Sequence, residues 1–164
     1  MIYLDPIITK YTDLIKAKNG AIVSYYQGEH LRVAQSLLPC CIISKTATNV
    51  GPLTNAEDAH EIGLRITIIT DVRQDLSSEE SNAKIVEGVS SLYDIMEGRN
   101  ADYTLKDTSI LDILRSNITV DAANNLRTDL GSVTRVDYGV TDREPGVWTV
   151  EGHLDFTTSF SQTR

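Results

Sequence analysis

The sequence is poor in several features that define large classes of protein. Its 164 residues include two cysteines, four prolines and one tryptophan, and its apolar runs reach only three or four residues, as at 40–43. A transmembrane helix needs about 20 apolar residues. A secretory signal needs a basic start before an apolar stretch of about 7–15 residues. We therefore expect a soluble chain that is made in the cytoplasm and has no membrane partner.

Positive charge is also scarce. The chain has 15 basic and 23 acidic residues, a net charge of −8. Residues 1–70 are neutral, whereas residues 71–107 have a net charge of −5 and residues 108–164 a net charge of −3. This balance argues against a protein that holds nucleic acid by bulk attraction to phosphates. It indicates either a solvated surface or a surface that repels a polyanion such as DNA.

Common catalytic and metal-binding motifs are missing. The sequence contains no phosphate-binding glycine loop and no serine-hydrolase elbow. Its three histidines, at positions 30, 60 and 153, are not spaced from a second histidine or cysteine as zinc ligands are. We therefore predict no catalytic residue, no metal site and no cofactor, although carboxylate pairs among the 23 acidic residues remain an open alternative.

The two cysteines are adjacent, at Cys40 and Cys41. Neighbouring residues of a strand point to opposite faces, so these two thiols are badly placed to bond to each other. The pattern indicates buried free thiols, and an inter-subunit disulfide through either one remains open.

Periodic patterns predict three helices. Asp5 and Pro6 fit the cap and first position of a helix that Gly20 would end. A second helix is predicted from Ser81 to the stop signal at Gly98, and a third over residues 108–116. Residues 21–38 and 98–131 otherwise receive no assigned conformation.

Strand patterns fall in two regions. One strand is predicted from Pro39 to Ser44 and another over residues 62–71, with the extended polar loop 46–61 between them. The long hairpin 132–160 closes the chain, with its tip at 142–146 and even-numbered residues of its last strand facing the core. Fourteen extended residues span about 45 Å, against a radius of gyration of about 15 Å for a chain of this length. We therefore expect the hairpin to reach past its own core.

These elements predict one α+β domain over residues 1–164. Its two layers are a mixed or antiparallel sheet of at least four strands and helices packed on that sheet, in the order α-β-β-α-α-β-β.

The order of elements resembles the tail terminator family of tailed bacteriophages, also called tail-completion or tail-to-head joining proteins. The likeness lies in the stretches 38–43 and 63–70 and in the closing region 135–160. The resemblance implies a homo-oligomeric ring, a hexamer, at the head-proximal end of the tail tube in the virion. Such a ring stops tube growth, contacts the tail tube protein and the head-tail connector, and contacts the sheath if the tail is contractile. DNA passes through its lumen without specific binding.

Seven residues are candidates for intermolecular contacts: Glu57, Asp58, Arg65, Asp142, Arg143, Glu144 and Trp148. Trp148 fits a core position as well as an interface. We expect the 46–61 loop and the 142–146 tip to be ordered by assembly. The alternatives are another neck or tail component, such as a head-completion stopper or tube subunit, a small cytoplasmic α+β enzyme or ligand-binding domain, and a host adaptor.

Overall fold

The computed structural model describes residues 4–28, 32–71, 79–144 and 147–163, with side chains in those ranges except at 79–87, 144, 147 and 148. The helices are α1 (Pro6–Lys18), α2 (Glu79–Glu97) and α3 (Ile110–Ser116), and a 3₁₀-helix covers Gln35–Leu37. The strands are β1 (Ser24–Gln27), β2 (Cys40–Pro52), β3 (Glu57–Asp71), β4 (Thr119–Asp121), β5 (Leu126–Asp129), β6 (Val136–Glu144) and β7 (Val147–Thr163).

The predicted α+β class is confirmed, and the order of the helices and long strands agrees in outline. The short strands β1, β4 and β5 add to that order within the segments to which the sequence assigned no conformation. No helix in the described ranges has both the length and the apolar character needed to span a membrane.

The strands form one mixed sheet around its two longest members. Its order is β1-β2-β3-β7-β5-β4, and β6 also pairs with β7. β3 and β7 are antiparallel over fifteen residue pairs, from Glu57 opposite Thr163 to Asp71 opposite Thr149. On the other edge of β7, β6 pairs with residues 147–154 and β5 with residues 157–159. β7 is therefore a central strand along most of its length.

Helix α1 begins where the sequence predicts. The Asp5 carboxylate caps it by accepting hydrogen bonds from the backbone N–H groups of Ile7 and Ile8 at 3.0 and 3.2 Å. A proline occupies the first helical position, where its missing N–H costs nothing. Asn19 rather than Gly20 caps the other end.

The main core lies between the helices and one face of the sheet, which we call the helix-side face. Tyr11 of α1 contacts the ring of Phe156 edge-on, and its hydroxyl lies 2.8 Å from both Thr128 and Thr158. The buried hydrophobic residues of β3 and β7 on this face are Ile62, Leu64, Ile66, Ile68, Val150, Leu154 and Phe156. Their even numbering confirms the predicted period-two pattern in both strands.

The opposite face of the sheet, which we call the open face, is covered only in part. A small second cluster of Cys40, Ile42 and Ile69 packs there against Tyr26, Val33 and Leu38. Cys41 lies in the main core, so the prediction that the two cysteines face opposite sides is confirmed. Beyond this cluster the open face carries mainly polar side chains.

The predicted loop 46–61 is wrong. β2 continues to Pro52 and β3 begins at Glu57, so the turn consists of residues 53–56. The N–H of Leu53 donates to the carbonyl of Glu57 at 2.9 Å and closes that turn. The strand ends were missed because neither of their faces is buried, so the apolar alternation that indicates a strand is absent. A register shift between Lys45 and Ala47 interrupts the pattern further.

The closing hairpin differs from its predicted bounds. β7 is longer than expected, at 17 residues, and β6 begins at Val136 rather than at 132. β6 covers only the first half of β7. Residues 159–163 of β7 run beyond the core together with the ends of β2 and β3, so a different set of strands projects from the one that the sequence suggested.

Close packing of α2 on the sheet gives a stability prediction at Gly152. A Cβ added there would lie 3.1–3.3 Å from atoms of Met96, Leu92 and Tyr138, whereas a Cβ at Gly139 would meet nothing within 4 Å. We expect Gly152→Ala to lower the free energy of unfolding by about 1–3 kcal/mol, as overpacking does. Gly139→Ala is the matched control and should have little effect. Urea denaturation measures both, and equal effects would contradict this packing.

Candidate assembly interface

Three strands continue past the helix layer as an exposed ribbon. The helix-side core ends at Ile62 and Thr158, both of which are buried. Beyond them lie residues 49–52 of β2, 57–61 of β3 and 159–163 of β7, which we call the ribbon. None of its residues is buried. The ribbon is held mainly by backbone pairing, and all of its residues are exposed or partly exposed on its two faces.

An apolar row crosses the helix-side face of the ribbon. Val50, His60 and Phe160 lie opposite one another on the three strands. The rings of His60 and Phe160 stack with centroids 4.7 Å apart and planes 6° from parallel. The Val50 side chain is 57% exposed. Covering this row would remove apolar surface from water, which favours association.

The candidate contact residues fall at opposite ends of the sheet. Glu57 and Asp58 lie in the ribbon and not in a loop, with Asp58 opposite Gln162. Asp142 and Arg143 lie at the far end of β6, where Asp142 is opposite residue 148. Fourteen residues of β7 therefore separate the two groups, about 45 Å at ~3.3 Å per residue.

The two remaining candidates at the hairpin tip are described only in part. The backbone of Glu144 pairs with Val147, and that of Trp148 pairs with Asp142. The side chains of Glu144 and Trp148 lie outside the described residues, so the assignment of Trp148 to core or interface stays a prediction.

Arg65 lies midway between the two ends, on the open face. Its guanidinium donates two hydrogen bonds to the carboxylate of Asp155, at 2.7 and 2.8 Å. These bonds, together with the positive charge, hold the pKa of Asp155 below its ordinary value. Both side chains are about half exposed, so solvent weakens the pair. A pair of this kind fixes two strands side by side and leaves the surface polar.

A buried acidic residue near the hairpin tip was missed by sequence reasoning. Glu151 is only 3% exposed although it occupies an odd, outward position of β7. Its carboxylate accepts hydrogen bonds from Arg143 at 2.6 Å and from Thr149 at 3.1 Å, and lies 3.7 Å from His153. The contact needs the exact strand register, which the residue pattern does not supply. Arg143 is therefore committed to an internal contact as well as being a candidate for an external one.

Both cysteines are free and fully buried. Burial raises the pKa of the Cys40 thiol to about 11 and raises that of Cys41 as well. The interpretation as buried free thiols is confirmed for this structure. Because thiolates are the reactive form, neither side chain is set up for nucleophilic chemistry.

Two open grooves lie on the described surface. One groove of about 400 Å³ lies on the open face beside Gly63, between Glu61 and Asp155. Another of about 480 Å³ lies beside the end of α2, near Asp94 and Lys106. Among the described residues, no three histidine, cysteine, aspartate or glutamate side chains are grouped as a metal site would require.

No protein-family model and no curated protein sequence matches this chain.

The Arg143–Glu151 pair gives a second prediction. Removing one partner of a buried pair leaves an uncompensated charge, so we expect Arg143→Met to lower the free energy of unfolding by about 3 kcal/mol. The double variant Arg143→Met with Glu151→Leu should recover most of that loss, because no buried charge remains. Urea denaturation of four proteins, the parent, Arg143→Met, Glu151→Leu and the double variant, measures the coupling. Additive effects of the two substitutions would show that the pair does not stabilise the hairpin.

The Arg65–Asp155 pair predicts a pH effect of defined sign. A carboxyl whose pKa is lowered by folding stabilises the protein above its unfolded pKa of about 3.9, and this contribution is lost as the pH falls through the folded pKa. Arg65→Gln should raise the pKa of Asp155 toward its ordinary value in an NMR titration. Because the pair is exposed, its removal should lower the free energy of unfolding by less than about 1 kcal/mol at neutral pH. An unchanged Asp155 titration in the variant would show that the pair does not persist in solution.

Proposed function

We propose that this chain is a structural protein of a tailed bacteriophage, a tail terminator whose copies form a hexameric ring at the head-proximal end of the tail tube. In this role the ring stops tube polymerisation and joins the tail to the head connector. The observation that carries the proposal is the ribbon, because its strands extend past the core and bury no side chain there. Such strands gain stability when another copy covers them.

The separation of the candidate contact residues supports a two-sided role. Glu57 and Asp58 lie at the ribbon end of β7, and Asp142 and Arg143 lie at the hairpin end. A joining protein needs two contact regions that different partners reach independently. We assign one end to the tail tube protein and the other to the connector, with the sheath as a further partner in a contractile tail.

The charge of the chain is compatible with a lumen that DNA crosses. Six copies with a net charge of −8 each carry −48 in total. A lumen of that sign repels phosphates, so DNA slides through without specific binding. The two segments that supply the acidity, 71–107 and 108–164, contain the helices α2 and α3 and the closing hairpin.

The state of assembly of the purified protein tests the proposal. We expect closed rings of uniform diameter in electron micrographs, and a native mass near 109 kDa for six copies of the 18.1-kDa chain. A ring closes because each subunit presents two different patches to its neighbours.

Other results would point elsewhere. Long cylinders under the same conditions would identify a tube subunit rather than a terminator. A stable monomer at all concentrations would contradict the ring and leave an enzyme or ligand-binding domain as the better interpretation.

A further inference from the structure

Two strands of the sheet have long outer edges without a ladder partner in the described part of the chain. β1 covers β2 only at residues 40–43, which leaves residues 44–52 open. β6 pairs with β7 on its inner side, and its outer side is open over residues 136–144. Each open stretch is nine residues long, about 30 Å at ~3.3 Å per residue. Open edges of this length can add a strand.

The backbone groups that point outward from β2 follow from its pairing with β3. In an antiparallel pair, alternate residues direct their N–H and C=O groups toward the partner strand. The N–H of Leu53 donates to Glu57 of β3, and residues 47–52 keep a continuous register back from that turn. The odd residues therefore bond to β3, and the N–H groups of Thr48 and Val50 point outward.

The same reasoning applies to β6. The N–H of Thr128 in β5 donates to the carbonyl of Ile118, so it points away from β7. The N–H groups of its neighbours, Arg127 and Asp129, therefore point toward β7, where the residues opposite them are odd-numbered. β6 pairs with this same edge of β7, and the odd-numbered residues of β6 lie opposite odd-numbered residues of β7. The odd-numbered residues of β6 therefore direct their N–H groups toward β7. The N–H groups of Tyr138 and Val140 therefore point outward.

Each open edge also carries an exposed valine on the helix-side face. Val50 is 57% exposed and Val140 is 63% exposed. The backbone N–H groups of both valines point outward from their strands, so the two residues can lie directly opposite each other as a hydrogen-bonded pair of an antiparallel ladder. Their side chains would then cover each other, and such cross-strand pairs stabilise sheets.

Strand direction favours this pairing in a cyclic assembly. The strands β2, β3, β7 and β6 alternate in direction, so β2 and β6 of one copy are antiparallel. In a ring whose strands are inclined to its axis, rotation about that axis keeps the sense in which each strand runs along it, so β6 of the next copy is antiparallel to β2.

Charge disfavours the symmetric alternative at β6. The sequence of β6 contains three acidic residues and one arginine, whereas residues 44–52 of β2 contain one lysine and no acidic residue. Two β6 edges would therefore repel each other, and a β2 edge is the more compatible partner.

We propose that β2 of one copy pairs with β6 of the next, antiparallel and with Val50 opposite Val140, so that the sheet continues from subunit to subunit. The inference rests on the proposed ring and names its contact. Across the sheet, the open part of β2 lies beside the level of residues 155–162 of β7, and β6 lies beside residues 147–154. Pairing at this offset shifts each copy along the strands relative to the next, and such a shift accompanies strand tilt in a closed barrel.

Proline substitution tests the contact. Thr48→Pro removes an outward N–H and leaves the bonds to β3, since proline is tolerated at an edge strand whose N–H faces solvent. We expect it to raise the concentration needed for assembly about tenfold or more, the effect of one lost hydrogen bond at each interface. Thr48→Ala keeps the N–H and should assemble like the parent chain. Equal assembly of the two variants would overturn the proposal.

A cross-linking experiment covers the case in which the proline variant fails to fold. Val50→Cys and Val140→Cys chains are mixed and treated with a short thiol cross-linker, with the parent chain and its two buried cysteines as the background control. We expect linked dimers in the mixture and none in either variant alone. Linkage within the Val50→Cys sample alone would show a β2–β2 contact and overturn the proposal.

The two experiments distinguish failure of the proposed β2–β6 contact from failure of the proposed tail terminator ring. Linked chains that assemble as open filaments would support the pairing of β2 with β6 and contradict the tail terminator ring. Closed rings without linkage would support the ring and contradict this contact.

Discussion

The antiparallel pairing of β3 with β7 is the interaction on which the rest of the structure depends. It runs for fifteen residue pairs and places the apolar even-numbered residues of both strands under the helices. β2, β5 and β6 attach to its two edges. The same ladder continues past the last buried pair, Ile62 and Thr158, so one interaction builds the core and supports the ribbon. Beyond the helices, the backbone pairing of the strands and the stack of His60 on Phe160 maintain the sheet.

Sequence reasoning succeeded where burial is one-sided. The alternation in β3 and β7 and the cap at Asp5 predicted elements that the structure contains, because each reflects a local physical requirement. It failed at residues 46–61, where strands without a buried face show no alternation. It also missed Glu151, since an acidic residue at an outward position looks solvated until the register brings Arg143 to it.

The candidate site shows the same division. The sequence placed contact residues in the region of the ribbon and at the hairpin tip, and the structure puts these groups at opposite ends of β7. The sequence pattern did not indicate the open edges, because whether a strand lies at an edge depends on which other strands pair with it. A sheet with two long open edges that run antiparallel is suited to extension by further copies, and this is the physical basis of the assembly that we propose.

Amide hydrogen exchange at two protein concentrations tests this account most directly. In peptides from residues 44–52 and 136–144, the outward-pointing amides should be protected in the concentrated, assembled protein and should exchange rapidly after dilution to the monomer. The amides of the same peptides that bond to β3 or β7 should stay protected in both samples. Peptides from the paired region of β3 and β7 should be protected in both samples, since their bonds lie within one chain. Rapid exchange of both open edges in the assembled protein would contradict the account.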